Sequence, residues 1–170
     1  STGIEALDTM MGGGIPEGDT MILAGATGTG KTTFASRFIA AGCDQGEPAV
    51  MVVFEENVGN FVSRAAALGM DVRAIEAAGR LRLLYLRPLD LSPDEVLHEV
   101  RRAVRELGAK RVVIDSLSGF EVALAPTFRM DFRESLYRVV MALSGQGVTM
   151  LLTLETPGTA GTDLRFSPPD

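Results

Sequence analysis

The run "GATGTGKT", residues 25–32, holds the residue types that bind a phosphate cluster. It fits G-x-x-x-x-G-K-[ST] at every fixed position. Gly25, Gly28 and Gly30 let the backbone curl until successive N–H groups face one anion. A helix leaving the loop aims the positive end of its dipole at the same point. Lys31 has the reach for β- and γ-phosphates, and the Thr32 hydroxyl suits Mg²⁺. Ala26, Thr27, Gly28, Thr29, Gly30, Lys31, Thr32 and Thr33 are therefore the expected nucleotide-binding set.

Two further stretches carry chemistry. Asp115 closes the apolar run "RVVID" at 111–115. In hydrolases with such a loop, an aspartate at a strand end holds the magnesium, usually through water. The run "MVVFEEN" drives four apolar residues into the adjacent carboxylates Glu55 and Glu56. Two like charges side by side need positive charge nearby, and phosphate chemistry supplies it through Mg²⁺, Lys31 and the loop amides. A carboxylate there can orient, or take a proton from, the water that attacks a γ-phosphate. Successive side chains on a strand point to opposite sides, so one of the two faces the phosphate. The other pairs with a cation or caps the next helix; the plainer alternative leaves both solvated at a loop edge.

These residues need a scaffold, and the chain alternates in the way that provides one. Short apolar runs at 20–25, 49–54, 81–86, 111–115 and 148–154 read as strands covered on both faces. Helical patterns lie between them. In "SPDEVLHEVRRAVRELG", Ser92 caps, Pro93 takes the first helical position and Glu95 completes a capping box. Val96, Val100, Val104 and Leu107 form one stripe, Gly108 stops the helix, and His98 falls off the stripe as a solvated residue. Strands alternating with helices predict an α/β three-layer domain with a mainly parallel sheet.

Bulk properties exclude several classes. The 170 residues suffice for one domain, 46 % apolar, with net charge −6. The acidic balance argues against non-specific nucleic-acid binding. A single cysteine, Cys43, forbids an internal disulfide and fits a cytoplasmic location; it reads as a small packed residue near a helix end. One histidine and one cysteine make a zinc site untenable. No apolar run is long enough for a membrane span, and no signal segment is visible.

Taken in order, "TGIEALDTMMGGGIPEGD", "GATGTGKTT", "FEEN", "VVIDSLSG" and "LLTLE" resemble KaiC-like ATPases, of the RecA-like branch of P-loop NTPases. The resemblance covers essentially the whole chain as one domain, 1–170. It implies the spatial strand order 81–86, 49–54, 111–115, 148–154, 20–25. It implies ATP and ADP as ligands with Mg²⁺ held by Thr32 and Asp115, Glu55 as general base and Glu56 in support. Thr153 and Glu155 resemble the polar position that reads the γ-phosphate; an ordinary strand threonine is the alternative for Thr153. Relatives form hexameric rings with ATP at the seams, in signalling or clock-type assemblies.

The resemblance also implies a C-terminal truncation. KaiC-like domains continue with further strands and a lysine- and arginine-rich segment reaching a neighbour's ATP. Here Arg165 is the one basic residue after position 155. On that reading "TMILAG" becomes an edge strand. The 170-residue piece should then bind nucleotide, turn it over slowly, form no stable ring and associate through that edge. Arg129, Arg133 and Arg138 either face a partner or form a solvated helix face. Two other functions stay open: a nucleotide switch without appreciable turnover, and a DNA recombinase or helicase motor. The motor would need a basic, aromatic-bearing DNA loop.

Overall fold

The computed structural model describes residues 1–54, 58–86, 92–118 and 129–156. Five strands form one sheet: β1 (Thr20–Gly25), β2 (Ala49–Val53), β3 (Leu81–Tyr85), β4 (Arg111–Asp115) and β5 (Thr149–Glu155). Their order is β1-β5-β4-β2-β3, and each pairing is parallel. This is the order the resemblance implied. The helices are α1 (Glu5–Met10), α2 (Lys31–Asp44), α3 (Val58–Ala67), α4 (Val72–Ala77), α5 (Pro93–Leu107) and α6 (Arg129–Ser144).

Every residue of β2 and β4 is buried, as expected of strands covered on both faces. Their alternation splits the interior in two. Val50, Val52, Val112, Ile114, Met150 and Leu152 pack with α5 and α6. Ala49, Met51, Val53, Val113 and Leu151 pack with Phe38 and Ile39 of α2 and Phe61 of α3. Fully burying a side chain such as Phe38 or Phe61 contributes about 1.5–3 kcal/mol. Among the described residues β1 is an edge strand, bonded to β5 alone, and its Ile22 is 61 % exposed.

Local signals govern α5 as read from the sequence. The Ser92 hydroxyl accepts from Glu95 N, and Glu95 Oε2 accepts from Ser92 N. Those bonds hold the Glu95 carboxyl below its ordinary value, the Ser92 backbone N–H first and the side-chain contact second. Val96, Val100 and Val104 are buried, His98 is exposed, and Gly108 ends the helix at φ 63°. On α6, Arg138 pairs with Glu134 four residues back, on an exposed face.

The N-terminal segment is held by a contact with no sequence motif. The Arg111 guanidinium is buried at the start of β4, its centre 4.6 Å from the centroid of the Phe38 ring. It donates to Ser1 O and Phe38 O, both at 2.8 Å, and to Glu47 Oε2 at 2.6 Å. Gly42 makes room for it: a Cβ there would lie 2.4 Å from Arg111 Cδ and Nε. With three acceptors holding the arginine, little can yield. Gly42→Ala is therefore expected to destabilise the fold by about 1–3 kcal/mol, seen as a lower urea midpoint; an unchanged midpoint would show that Arg111 repacks freely.

Candidate functional site: a phosphate-loop cleft

The loop joining β1 to α2 opens at the carboxyl ends of the strands. Gly28 and Gly30 both take positive φ, 80° and 91°, which side chains with a Cβ rarely adopt. Gly30 is the residue before α2 and has no side chain to cap the helix. The first N–H groups of α2 thus meet the cleft without intrahelical acceptors, the arrangement that suits an anion. Gly25 is required for a different reason: a Cβ there would lie 2.8 Å from Thr29 Oγ1. That hydroxyl donates to Ala26 O at 2.8 Å and tightens the turn. Lys31 Nζ donates to Gly25 O at 2.8 Å and Ala26 O at 2.7 Å, so the ammonium lies along the loop it would share with phosphate.

A cleft of about 410 Å³ gathers Thr27, Gly28, Gly30, Lys31, Thr32 and Thr33 from this loop and helix. Asp115 and Ser116 at the end of β4, Glu155 at the end of β5 and Arg64 of α3 form the rest of its wall. The Asp115–Ser116 peptide is cis. Ser118 joins the two strand ends: its Oγ accepts from Glu155 N at 2.7 Å and donates to Glu155 O at 3.2 Å. A larger hollow of about 620 Å³ lies beside the N-terminal segment and the far end of α2. Its lining includes Glu5, Asp8 and Asp44 and neither lysine nor arginine, so it repels phosphate.

The sequence-derived residues fall as follows. Thr27, Gly28, Gly30, Lys31, Thr32, Thr33 and Asp115 share the cleft, whereas Ala26 and Thr29 of the expected set do not line it. Of the pair expected to read the γ-phosphate, Glu155 lines the cleft, whereas Thr153 is fully buried and donates its hydroxyl to Asp115 Oδ1 at 2.5 Å. Glu55 and Glu56 lie outside the described residues, as does Arg165. Arg64 and Ser118 were missed. Ser118 lies within the run "VVIDSLSG" but was given no role there, and no motif marks Arg64, although an arginine on the helix after the glutamate pair is a spacing worth reading near phosphate. Cys43 is packed, with burial first and Asp44 second pushing its thiol up, and it takes no part.

The donors available suit a hard cation. Thr32 and Asp115 offer a hydroxyl and a carboxylate on one cleft. Among the described residues no three His, Cys, Asp or Glu side chains gather for a protein-only metal cage. An ion held here would complete its shell with phosphate oxygens and water, as Mg²⁺ prefers.

A parallel sheet in this order, with a phosphate loop after β1 and an acidic end on the strand beside β5, defines a RecA-like P-loop fold. The family described as "ATPase: KaiC" matches residues 1–167, and the chain belongs to the KaiC ATPase family. A circadian clock oscillator protein KaiC of Picosynechococcus sp. is 36 % identical over 118 residues, 69 % of this chain. The chain spans about a quarter to a third of the length of the KaiC proteins it matches, 23 % for that one. A UPF0273 protein of Methanopyrus kandleri is 32 % identical over 167 residues, covering 89 % of this chain and 65 % of that protein. The crystal structure of a KaiC-like protein from Pyrococcus horikoshii aligns with a TM-score of 0.82 and 36 % identity. That alignment covers 95 % of this chain and 72 % of the other. Among the described residues no helix is long and apolar enough to cross a membrane.

Proposed function

We propose that the cleft binds ATP with Mg²⁺ and hydrolyses it. The observation that carries this reading is the meeting of Lys31, Thr32 and Asp115 with the open amino end of α2 in one cleft. Lys31 leaves the loop carbonyls for the β- and γ-phosphates, a charge-assisted contact in place of two neutral ones. Thr32 and Asp115 hold Mg²⁺, directly or through water. The ion neutralises charge on the phosphate oxygens. Arg64 and the α2 amides add positive potential on the protein side.

Glu55 orients the attacking water and takes its proton. The family resemblance supports Glu55 over Glu56, since Glu55 matches the first of the paired glutamates of KaiC-like ATPases. Glu56 supports it. Glu155, at the cleft wall, reads the γ-phosphate. By resemblance to the family, copies of the whole protein assemble as a ring, with nucleotide at each seam.

A titration with ATP, ADP and GTP, with Mg²⁺ and with EDTA, tests the reading. Tight, Mg²⁺-strengthened binding of ATP and ADP, with phosphate release from ATP, is the expected result. Absence of nucleotide binding would remove it, and binding without any release would leave the switch reading in its place.

A further inference from the structure

The fully buried threonine near the end of β5, Thr153, sits beside the acid of the cleft. We propose that Thr153 is a positioning residue for the Asp115 carboxylate, acting on magnesium through Asp115 and never touching the ligand. The inference rests on the reading of the cleft as an ATP–Mg²⁺ site.

Thr153 Oγ1 donates to Asp115 Oδ1 across two neighbouring strands, 38 residues apart in sequence. The β4–β5 register pairs Ile114 with Leu152, so Asp115 and Thr153 are the next step along the ladder. Val113 and Leu151, two residues earlier on each strand, face α2, and strand alternation returns Asp115 and Thr153 to that face. Both side chains thus lie on the side of the phosphate loop. Thr153 is wholly buried and Asp115 is 8 % exposed, and Asp115 alone of the two borders the cleft.

Among the described residues Thr153 is the only side chain donating to this carboxylate. A carboxylate at a strand end otherwise turns freely about its terminal torsion, which is broad. The bond holds Oδ1 on the protein side and leaves Oδ2 for the cleft. Threonine suits the task because its branched Cβ restricts χ1, so the hydroxyl itself does not wander. A residue that orients a metal-binding carboxylate is expected to change metal affinity by about 10–100-fold when removed. It should leave metal-free nucleotide binding untouched.

The experiment follows nucleotide affinity against Mg²⁺ concentration for the parent, Thr153→Val and Thr153→Ser, with circular dichroism to confirm folding. Mn²⁺ binding in the presence of ADP, read by electron paramagnetic resonance, is the second readout. Thr153→Val, which keeps the shape and loses the donor, is expected to need about 10–100-fold more metal, with affinity in EDTA unchanged. Thr153→Ser, which keeps the donor, is expected to follow the parent. In an Asp115→Asn background, Thr153→Val should add no further loss, because the two act as one unit.

A Thr153→Val protein with the parent's metal requirement would overturn the proposal. So would equal losses with and without metal, which denote a structural role, or a serine variant as poor as valine. A parent protein that binds nucleotide with no response to Mg²⁺ overturns the ATP–Mg²⁺ reading itself, and this inference with it.

Discussion

Glu55→Gln is expected to lower ATP hydrolysis by the whole protein by about 10²-fold or more while ATP binding is retained. Glutamine keeps the size and hydrogen-bonding reach of the side chain but cannot take the proton of the attacking water. The loss should therefore fall on turnover and spare affinity, a split that steady-state phosphate release and an equilibrium ATP titration separate. Glu56→Gln should do less, since the resemblance gives Glu55 the role of base and Glu56 a supporting one. The reverse ranking would exchange the two roles. Negligible effects at both positions would return the pair to a solvated loop edge and leave the water to another group.

Lys31→Ala is expected to weaken ATP binding by about 1.5–3 kcal/mol, roughly ten- to more than a hundredfold. Two effects oppose each other at this residue. In the structure its ammonium donates to Gly25 O and Ala26 O, so the parent gives up both bonds when Lys31 reaches for phosphate. Those carbonyls are neutral acceptors, whereas a triphosphate carries several negative charges, so the exchange favours the ligand. The alanine variant makes neither contact, and the loop carbonyls lose their donors as well. Thermal unfolding of the nucleotide-free variant beside an ATP titration separates the two. A small loss of stability with a large loss of affinity is expected, and parent-like affinity would discard the phosphate-loop reading.

Much of the fold was legible because it is written in local physics. The glycines at 25, 28 and 30, with lysine and threonine following, specify a loop whose conformation depends on backbone torsions within a few residues. The first helical turn of α5 is set by Ser92 and Glu95, three residues apart, and its end by Gly108. Alternating apolar runs mark buried strands because a parallel sheet must be apolar on both faces. The observed strands match the expected ones to within a residue, β5 running 149–155 where 148–154 was read. Strand order itself came from family resemblance, since nothing in a single strand's residues says which neighbour it takes.

What the sequence determined by itself was the phosphate loop, the acid at the end of its strand, the α/β alternation and the capped helix α5. Each is a property of neighbours along the chain or of a short repeat. Tertiary structure alone decided the rest. It set the β4–β5 register that brings the Thr153 hydroxyl onto Asp115 Oδ1. It brought Arg64 to the cleft wall and joined Ser118 to Glu155. It also drew Ser1, Phe38 and Glu47 onto one buried guanidinium at Arg111. These contacts join residues dozens of positions apart. Their partners are chosen by how the sheet is ordered and how far each strand slides, and neither quantity leaves a periodicity in the chain.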